Sequence, residues 1–206
     1  MSDQIPTIVV CLRSGGDYKP QHVIALAKQI EKNCSIPYRF VCYTDVTKSG
    51  SVIPLEKNYP GWWSCVELWR HKGPTIAMGL DTMILGNIDK LLNACLQVKD
   101  DAFYLLDSPF HEGEWINGIQ MWNGDWSWLY EGFNYEKESL TRRGEENYQI
   151  ETLIETEAKI KSIQSVFPSI CNYKLAYKRR IGMNSAIIYF HGRPRPWQTP
   201  LWRLVK

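Results

Sequence analysis

The sequence predicts a single α/β domain over residues 1–206. Three observations carry this. An apolar run at 7–12 is followed by an amphipathic helix and a second apolar run at 39–43. This β-α-β opening favours parallel strands joined by a crossover helix. Four polar segments stand where apolar runs end: Arg13 to Asp17, Thr44-Asp45, Asp81-Thr82 and His191 to Arg195. In open α/β sheets, ligands bind at that end of the strands. Finally, at roughly 100–200 residues per domain the length fits one domain, with a core that needs no disulfide or metal staple.

The elements follow in order. Residues 7–12 (TIVVCL) have the length and composition of a buried strand, and Arg13-Ser14-Gly15-Gly16-Asp17 is a loop. Pro20 opens a helix with Val23, Leu26, Ala27 and Ile30 on one face. The second strand, 39–43, ends at Thr44-Asp45, and 48–51 is a polar loop. Residues 61–69 form a short helix, 75–80 a third buried strand ending at Asp81, and 87–96 a helix. Strands are expected at 102–106 and 118–122, and helices at 126–133 and 145–158. Segment 134–147, rich in charge and glycine, is expected to be a mobile loop. The last strand, 185–190, runs into His191-Gly192-Arg193-Pro194-Arg195-Pro196-Trp197.

Composition excludes several classes. A net charge of +2 makes no electrostatic case for nucleic acid or an anionic membrane as the main partner. With 44% hydrophobic and 22% charged residues the chain is not disordered. No apolar run approaches the roughly 20 residues of a membrane span, and the start of the chain does not read as a signal peptide. The six cysteines form no C-x-x-C pair and read as reduced thiols of a cytoplasmic protein. There is no P-loop, no G-x-G-x-x-G after the first strand, no G-x-S-x-G and no H-E-x-x-H.

Three groups of residues carry chemistry. Asp81 directly follows an apolar strand, where a hard divalent cation finds an oxygen ligand; an Asp there also caps a turn or helix. In the 191–197 loop, Gly192 lets backbone approach an anion, Arg193 and Arg195 suit phosphate, and the prolines stiffen the loop. Glu145-Glu146 stands before a helical run, able to orient a sugar hydroxyl or act at an anomeric carbon, or simply to suit a helix N-terminus. The nine tryptophans suit a core, and one or two would serve in a cleft.

These segments, in this order, resemble the GT-A fold glycosyltransferases, above all the small bacterial and phage relatives of glycosyltransferase family 8 (glycogenin-like and galactosyltransferase-like). Gly61-Trp62-Trp63-Ser64 with Glu67-Leu68 resembles the family's GWWSK-x-EL segment. Residues 80–88 resemble its D-x-D-T metal segment, 116–123 its NSS-x-M-x-W strand, and Arg143-Gly144-Glu145-Glu146 stands at its GDQ. Residues 190–197 resemble its FHGKPKPW closely. The resemblance implies a Rossmann-like GT-A domain with a central mixed sheet flanked by helices. It implies a nucleotide-diphospho-sugar donor, usually UDP-linked, an acceptor, and Mn²⁺ or Mg²⁺.

Carried over, Asp81 and His191 are the metal ligands. Gly192, Arg193 and Arg195 hold the diphosphate. Arg13, Asp45, Trp63, Thr82 and Trp197 line the donor pocket, and Asn117, Glu145 and Glu146 sit at the transferred sugar. The departures run through that pocket. Gly79 replaces the first Asp of D-x-D, Cys65 replaces the Lys after GWWS, and Glu145-Glu146 replace Asp-Gln. Two alternatives stay open: a non-catalytic nucleotide-sugar-binding protein and a phage-type enzyme glycosylating a nucleic-acid base. Self-association into a homo-oligomer is open as well.

Overall fold

Alternation along the first strand, β1 (Thr7–Leu12), divides the core in two. Ile8, Val10 and Leu12 join one apolar layer and Val9 the other, as the two-residue period of a strand requires. The computed structural model describes residues 4–46, 51–99, 101–179 and 184–204. Helix α1 (Pro20–Asn33) covers the first layer with Leu26 and Ile30. The chain returns in β2 (Arg39–Thr44) and adds a short edge strand, β3 (Val52–Pro54). A 3-10 helix (Gly61–Arg70) then crosses the other face and buries Val66, Leu68 and Trp69 there.

Strand β4 (Thr75–Met78) runs into β5 (Thr82–Ile84), and α2 (Asp89–Gln97) lays Leu91, Leu92 and Cys95 on the first layer. The remaining elements are β6 (Ala102–Asp107), β7 (Trp115–Trp122), α3 (Trp128–Glu131), α4 (Tyr135–Thr141), α5 (Glu145–Glu155), β8 (Lys159–Ser162), β9 (Ile170–Asn172), α6 (Tyr173–Arg179) and β10 (Ile187–Tyr189). Seven strands form one sheet in the order β3-β2-β1-β4-β7-β6-β8, and β5-β10-β9 form a second. Strands β1 to β4 are mutually parallel in the first sheet, while β7 runs antiparallel to both β4 and β6. The expected central mixed sheet flanked by helices is therefore what the chain forms. No helix among the described residues is long and apolar enough to cross a membrane.

Several expectations are corrected. Segment 134–147 is not a mobile loop. Asn134 caps α4 by accepting from the Lys137 N–H at 3.1 Å, and Arg142 bonds the buried Glu138 and, at 2.6 Å, Glu151 of α5. The helix expected at 126–133 shrinks to one turn, α3. The strand expected at 75–80 stops at Met78, because the Thr82 N–H donates to the Gly79 carbonyl at 3.0 Å and turns the chain into the second sheet. The strand expected at 118–122 begins earlier, at Trp115, and that expected at 185–190 is confined to β10. Helix α5 ends at Glu155, short of 158. Residues 48–50 of the expected polar loop lie outside the described residues.

One buried carboxylate organises the approach to the 3-10 helix. Glu67 is fully buried and accepts from the backbone N–H groups of Glu56, Lys57 and Asn58 at 2.6, 2.9 and 2.9 Å, while Arg70 pairs with it at 2.8 Å. Removing it leaves three backbone donors without their acceptor and Arg70 with only Glu56 and the Pro54 carbonyl. Urea denaturation of Glu67→Ala should show a loss of about 3–5 kcal/mol. A loss under about 1 kcal/mol would mean that solvent replaces the carboxylate readily.

Candidate functional site

Strands β2 and β3 lie on one side of β1, and β4 lies on the other. The direction in which the sheet grows thus reverses between β1 and β4, and a cleft opens at the carboxyl ends of those two strands. It consists of two adjoining cavities of about 350 and about 300 Å³, which share Cys11, Tyr18, Trp62 and Cys65 on their walls. The larger is lined by Asp81, Asn117, Glu145, Glu146, His191, Gly192 and Arg195. Arg13 and Asp17 line the smaller one.

The turn after β4 supplies Asp81, which is only 8% exposed. Arg195, equally buried, donates to it through Nη1, and the Tyr18 hydroxyl interacts with it electrostatically. Burial pushes the Asp81 carboxyl above its ordinary range, and Arg195 and Tyr18 pull it back. The Tyr18 hydroxyl is pushed up by burial first and by the Asp81 charge second. Gly79 makes this arrangement possible, since a Cβ there would stand 2.6 Å from Asp81 Oδ1.

Asn117 reaches the cleft through an irregularity in β7. Leu105 pairs with Gln120 and Leu106 with Ile116, so residues 117–119 have no partner on β6. The Asn117 backbone N–H donates to Glu146 Oε2 at 2.9 Å. Behind it, Gln120 Oε1 accepts from Trp69 Nε1 at 3.0 Å and Gln149 Nε2 at 2.7 Å, binding β7, the 3-10 helix and α5 together. Glu145 opens α5 beside this network. Its pKa is raised to about 7, first by burial and then by the Glu146 charge, against the pull of the helix backbone and the Asn117 side chain.

The other site residues expected from sequence divide into two groups. Gly192, with φ of 72°, and Arg195 line the cleft, and His191 stands exposed at its mouth. Arg193 is exposed and pairs with Asp17 at 3.2 Å. Asp45 is not on the wall; it accepts from the Ser14 N–H at 2.7 Å and hydroxyl at 2.5 Å, and so fixes the loop that carries Arg13. Partial burial pushes its carboxyl up, but these bonds hold it below its ordinary value. Thr82 is buried in β5, off the wall. Trp197 stacks on His22 at 3.8 Å and packs against Tyr18. Trp63 packs with Phe133 and Tyr135 under the other face, and its neighbour Trp62 lines both cavities. Tyr18, Gln120 and Lys174 escaped the sequence reading; Lys174 Nζ comes within 3.9 Å of where a Gly192 side chain would begin. Only Tyr18 carried a signal, its place directly after the polar loop that follows β1.

No protein-family model and no curated protein sequence matches the chain. Its likeness to known proteins lies in the fold. The apo form of the glycosyltransferase GlyE of Streptococcus pneumoniae TIGR4 superposes with a TM-score of 0.64 at 9% identity, over 95% of this chain and 56% of GlyE. The galactosyltransferase LgtC, solved with donor and acceptor sugar analogues, gives 0.61 at 11% identity over 95% of this chain and 91% of that one. The fold is that of a GT-A-like glycosyltransferase. A glycosyltransferase involved in glycosylating the major capsid of PBCV-1 gives 0.58 at 13% identity, over 90% and 93% of the two chains. The chain thus spans little more than half the length of GlyE and nearly the whole of the other two.

The Mn²⁺ or Mg²⁺ implied by the family resemblance would have Asp81 and His191 as ligands. The residues present do not fit that role. Position 79 has no carboxylate, the Asp81 carboxylate is engaged by Arg195 and Tyr18, and no group of three His, Cys, Asp or Glu side chains among the described residues could hold a metal ion.

Glu145 gives a pH test of this geometry. Its folded pKa of about 7 lies above the ordinary 4.5, so the folded state holds a proton that the unfolded state has lost. Its contribution to stability is therefore intact below about 4.5 and lost as pH climbs through about 7. Glu145→Gln should melt at a higher temperature than wild type at pH 8 and close to it at pH 4.5. Equal melting at both pH values would show that Glu145 ionises normally.

Proposed function

We propose that the chain is a glycosyltransferase that takes a sugar from a nucleoside-diphosphate donor, UDP-linked in the first instance, and passes it to an acceptor hydroxyl. One observation carries this reading: a single cleft at the switch point joins an anion-binding wall, Gly192 and Arg195, to a paired-carboxylate wall, Glu145 and Glu146 beside Asn117. The cavities are of the size that accepts small ligands and cofactors.

The nucleoside sits in the smaller cavity, between the Arg13 loop and the flat face of Trp62, with Asp45 holding the loop in place. Gly192 brings backbone close to the diphosphate and Arg195 donates to it, while Arg193 approaches from the rim. Trp197 and Thr82 support this wall from behind. The sugar lies against Asn117, Glu146 and Glu145. In the transfer, the bond from the anomeric carbon to the diphosphate oxygen breaks and one to the acceptor oxygen forms. Glu145 takes the acceptor's proton, a task for which a pKa of about 7 is well matched at neutral pH. The charge that develops on the leaving diphosphate meets the fixed donors of Arg195.

The deciding experiment follows nucleoside diphosphate release over a panel of nucleotide sugars, with water as a slow acceptor. One donor should turn over, with a rate that rises through pH 7 as Glu145 loses its proton. Glu145→Gln should lower kcat by about 10²–10⁴-fold. A thermal shift with nucleotide sugars but no turnover, even with candidate acceptors, would favour a non-catalytic binding protein. Neither turnover nor a shift would end the donor reading.

A further inference from the structure

We infer that Arg195, anchored on Asp81, takes the place of a divalent ion in this cleft, so that a nucleoside diphosphate binds without metal. This rests on the donor reading above and departs from what the family resemblance implies. The starting point is the carboxylate itself. Asp81 is paired with Arg195 from within the protein, and the two side chains are 11% and 9% exposed. An ion seeking Asp81 must displace a buried guanidinium, and separating such a pair leaves two uncompensated charges.

The backbone points the same way. A metal segment of the D-x-D kind needs a second carboxylate at position 79. Here even a Cβ at Gly79 would stand 2.6 Å from Asp81 Oδ1, closer than nonbonded atoms approach. The glycine and the inward-turned Asp81 belong to one arrangement, and it is one that a second carboxylate would break.

Arg195 has capacity left for a ligand. Its Nε is buried and makes no hydrogen bond, with Asp17 Oδ2 3.9 Å away. The guanidinium carbon lies 5.2 Å from the ring centres of both Tyr18 and Trp62, two rings set nearly perpendicular to one another, so the group is lodged in the aromatic corner that both cavities share. A guanidinium fixed in this way offers a fork that matches phosphate oxygens, with little freedom left to lose on binding. Because Asp81 offsets its charge, further cations are needed for a diphosphate. Lys174 beside Gly192 and Arg13 in the adjoining cavity are placed to supply them.

Isothermal titration of the full chain with UDP, and then with GDP, ADP and dTDP, tests this on wild type. For the diphosphate that binds, the dissociation constant should agree within about threefold in excess EDTA and in excess Mn²⁺, against the tenfold that 1.4 kcal/mol represents. Arg195→Ala should weaken binding by about 10–100-fold, and Arg195→Lys should recover part of the loss. Titrating protein into Mn²⁺ while following the free-ion electron paramagnetic resonance signal needs no variant and should leave the signal unchanged. Diphosphate binding that vanishes in EDTA and returns with Mn²⁺, or protein that removes the Mn²⁺ signal, would overturn the inference and leave the donor reading standing. If no diphosphate binds in either condition, the donor reading falls and this inference with it.

Discussion

The pair between Asp81 and Arg195 joins residues 114 positions apart and fixes the floor of the cleft. Asp81 is delivered by the main sheet, through β4 and the turn that follows it. Arg195 is delivered by the second sheet, through β10 and the loop after it. Each would be a costly buried charge without the other. The contact therefore demands that the two sheets be in register with one another, and β5, which continues from the Asp81 turn and pairs with β10, provides that register. Tyr18 closes the remaining side: its hydroxyl meets Asp81 while its ring meets Trp62, Trp197 and the Arg195 guanidinium. Few of these side chains could change without disturbing the rest.

The opposite wall is built on a different principle. Regular pairing of β6 with β7 would keep Asn117 in the ladder; the irregularity at residues 117–119 releases it into the cleft. That break is held by polar contacts rather than by packing alone. Glu146 accepts the Asn117 N–H, and Gln120 accepts from Trp69 and Gln149. The same network presses the first turn of α5 against the cleft and removes water from Glu145. The raised pKa of that carboxyl comes from burial first and from its neighbour Glu146 next, while the Asn117 side chain released by the break in β7 pulls it down.

Much of the sheet was legible because its central strands are continuous apolar runs: β1, β4 and β6 are buried on both faces, and a core strand of that kind announces itself. The edge strands were not. The β8 sequence KIKS alternates lysine with half-buried residues, as a solvated edge does, and β3 and β9 are only three residues long. Helix α4 was hidden because its stability lies in charge contacts: Arg142 bonds Glu138 within its own segment and Glu151 in the next helix. The site was legible where chain order preserves it, in Asp81, Gly192 and Arg195. It failed at Trp62 and Trp63, which are adjacent in sequence and face opposite surroundings, because only the placement of the 3-10 helix decides which one meets the cleft. Lys174 was beyond reach, since nothing local to it distinguishes its amine from any other.

The two walls together describe a division of labour in charge. A diphosphate donor carries negative charge that must be met as it is bound and again as it departs, and fixed dipoles and cations do this without rearranging at the moment of reaction. Asp81 lowers the net charge that Arg195 presents, yet it also removes the freedom of the guanidinium to swing, which aims the donors that remain. Glu145 and Glu146 stand apart from the anion-binding wall because they belong to α5 rather than to the loop after β10. Partial neutralisation of Glu145 near pH 7 eases the remaining repulsion between its wall and an anionic ligand. On the donor reading proposed above, a chain whose net charge is only +2 would attract an anion through where its cations are held, not through how many it has.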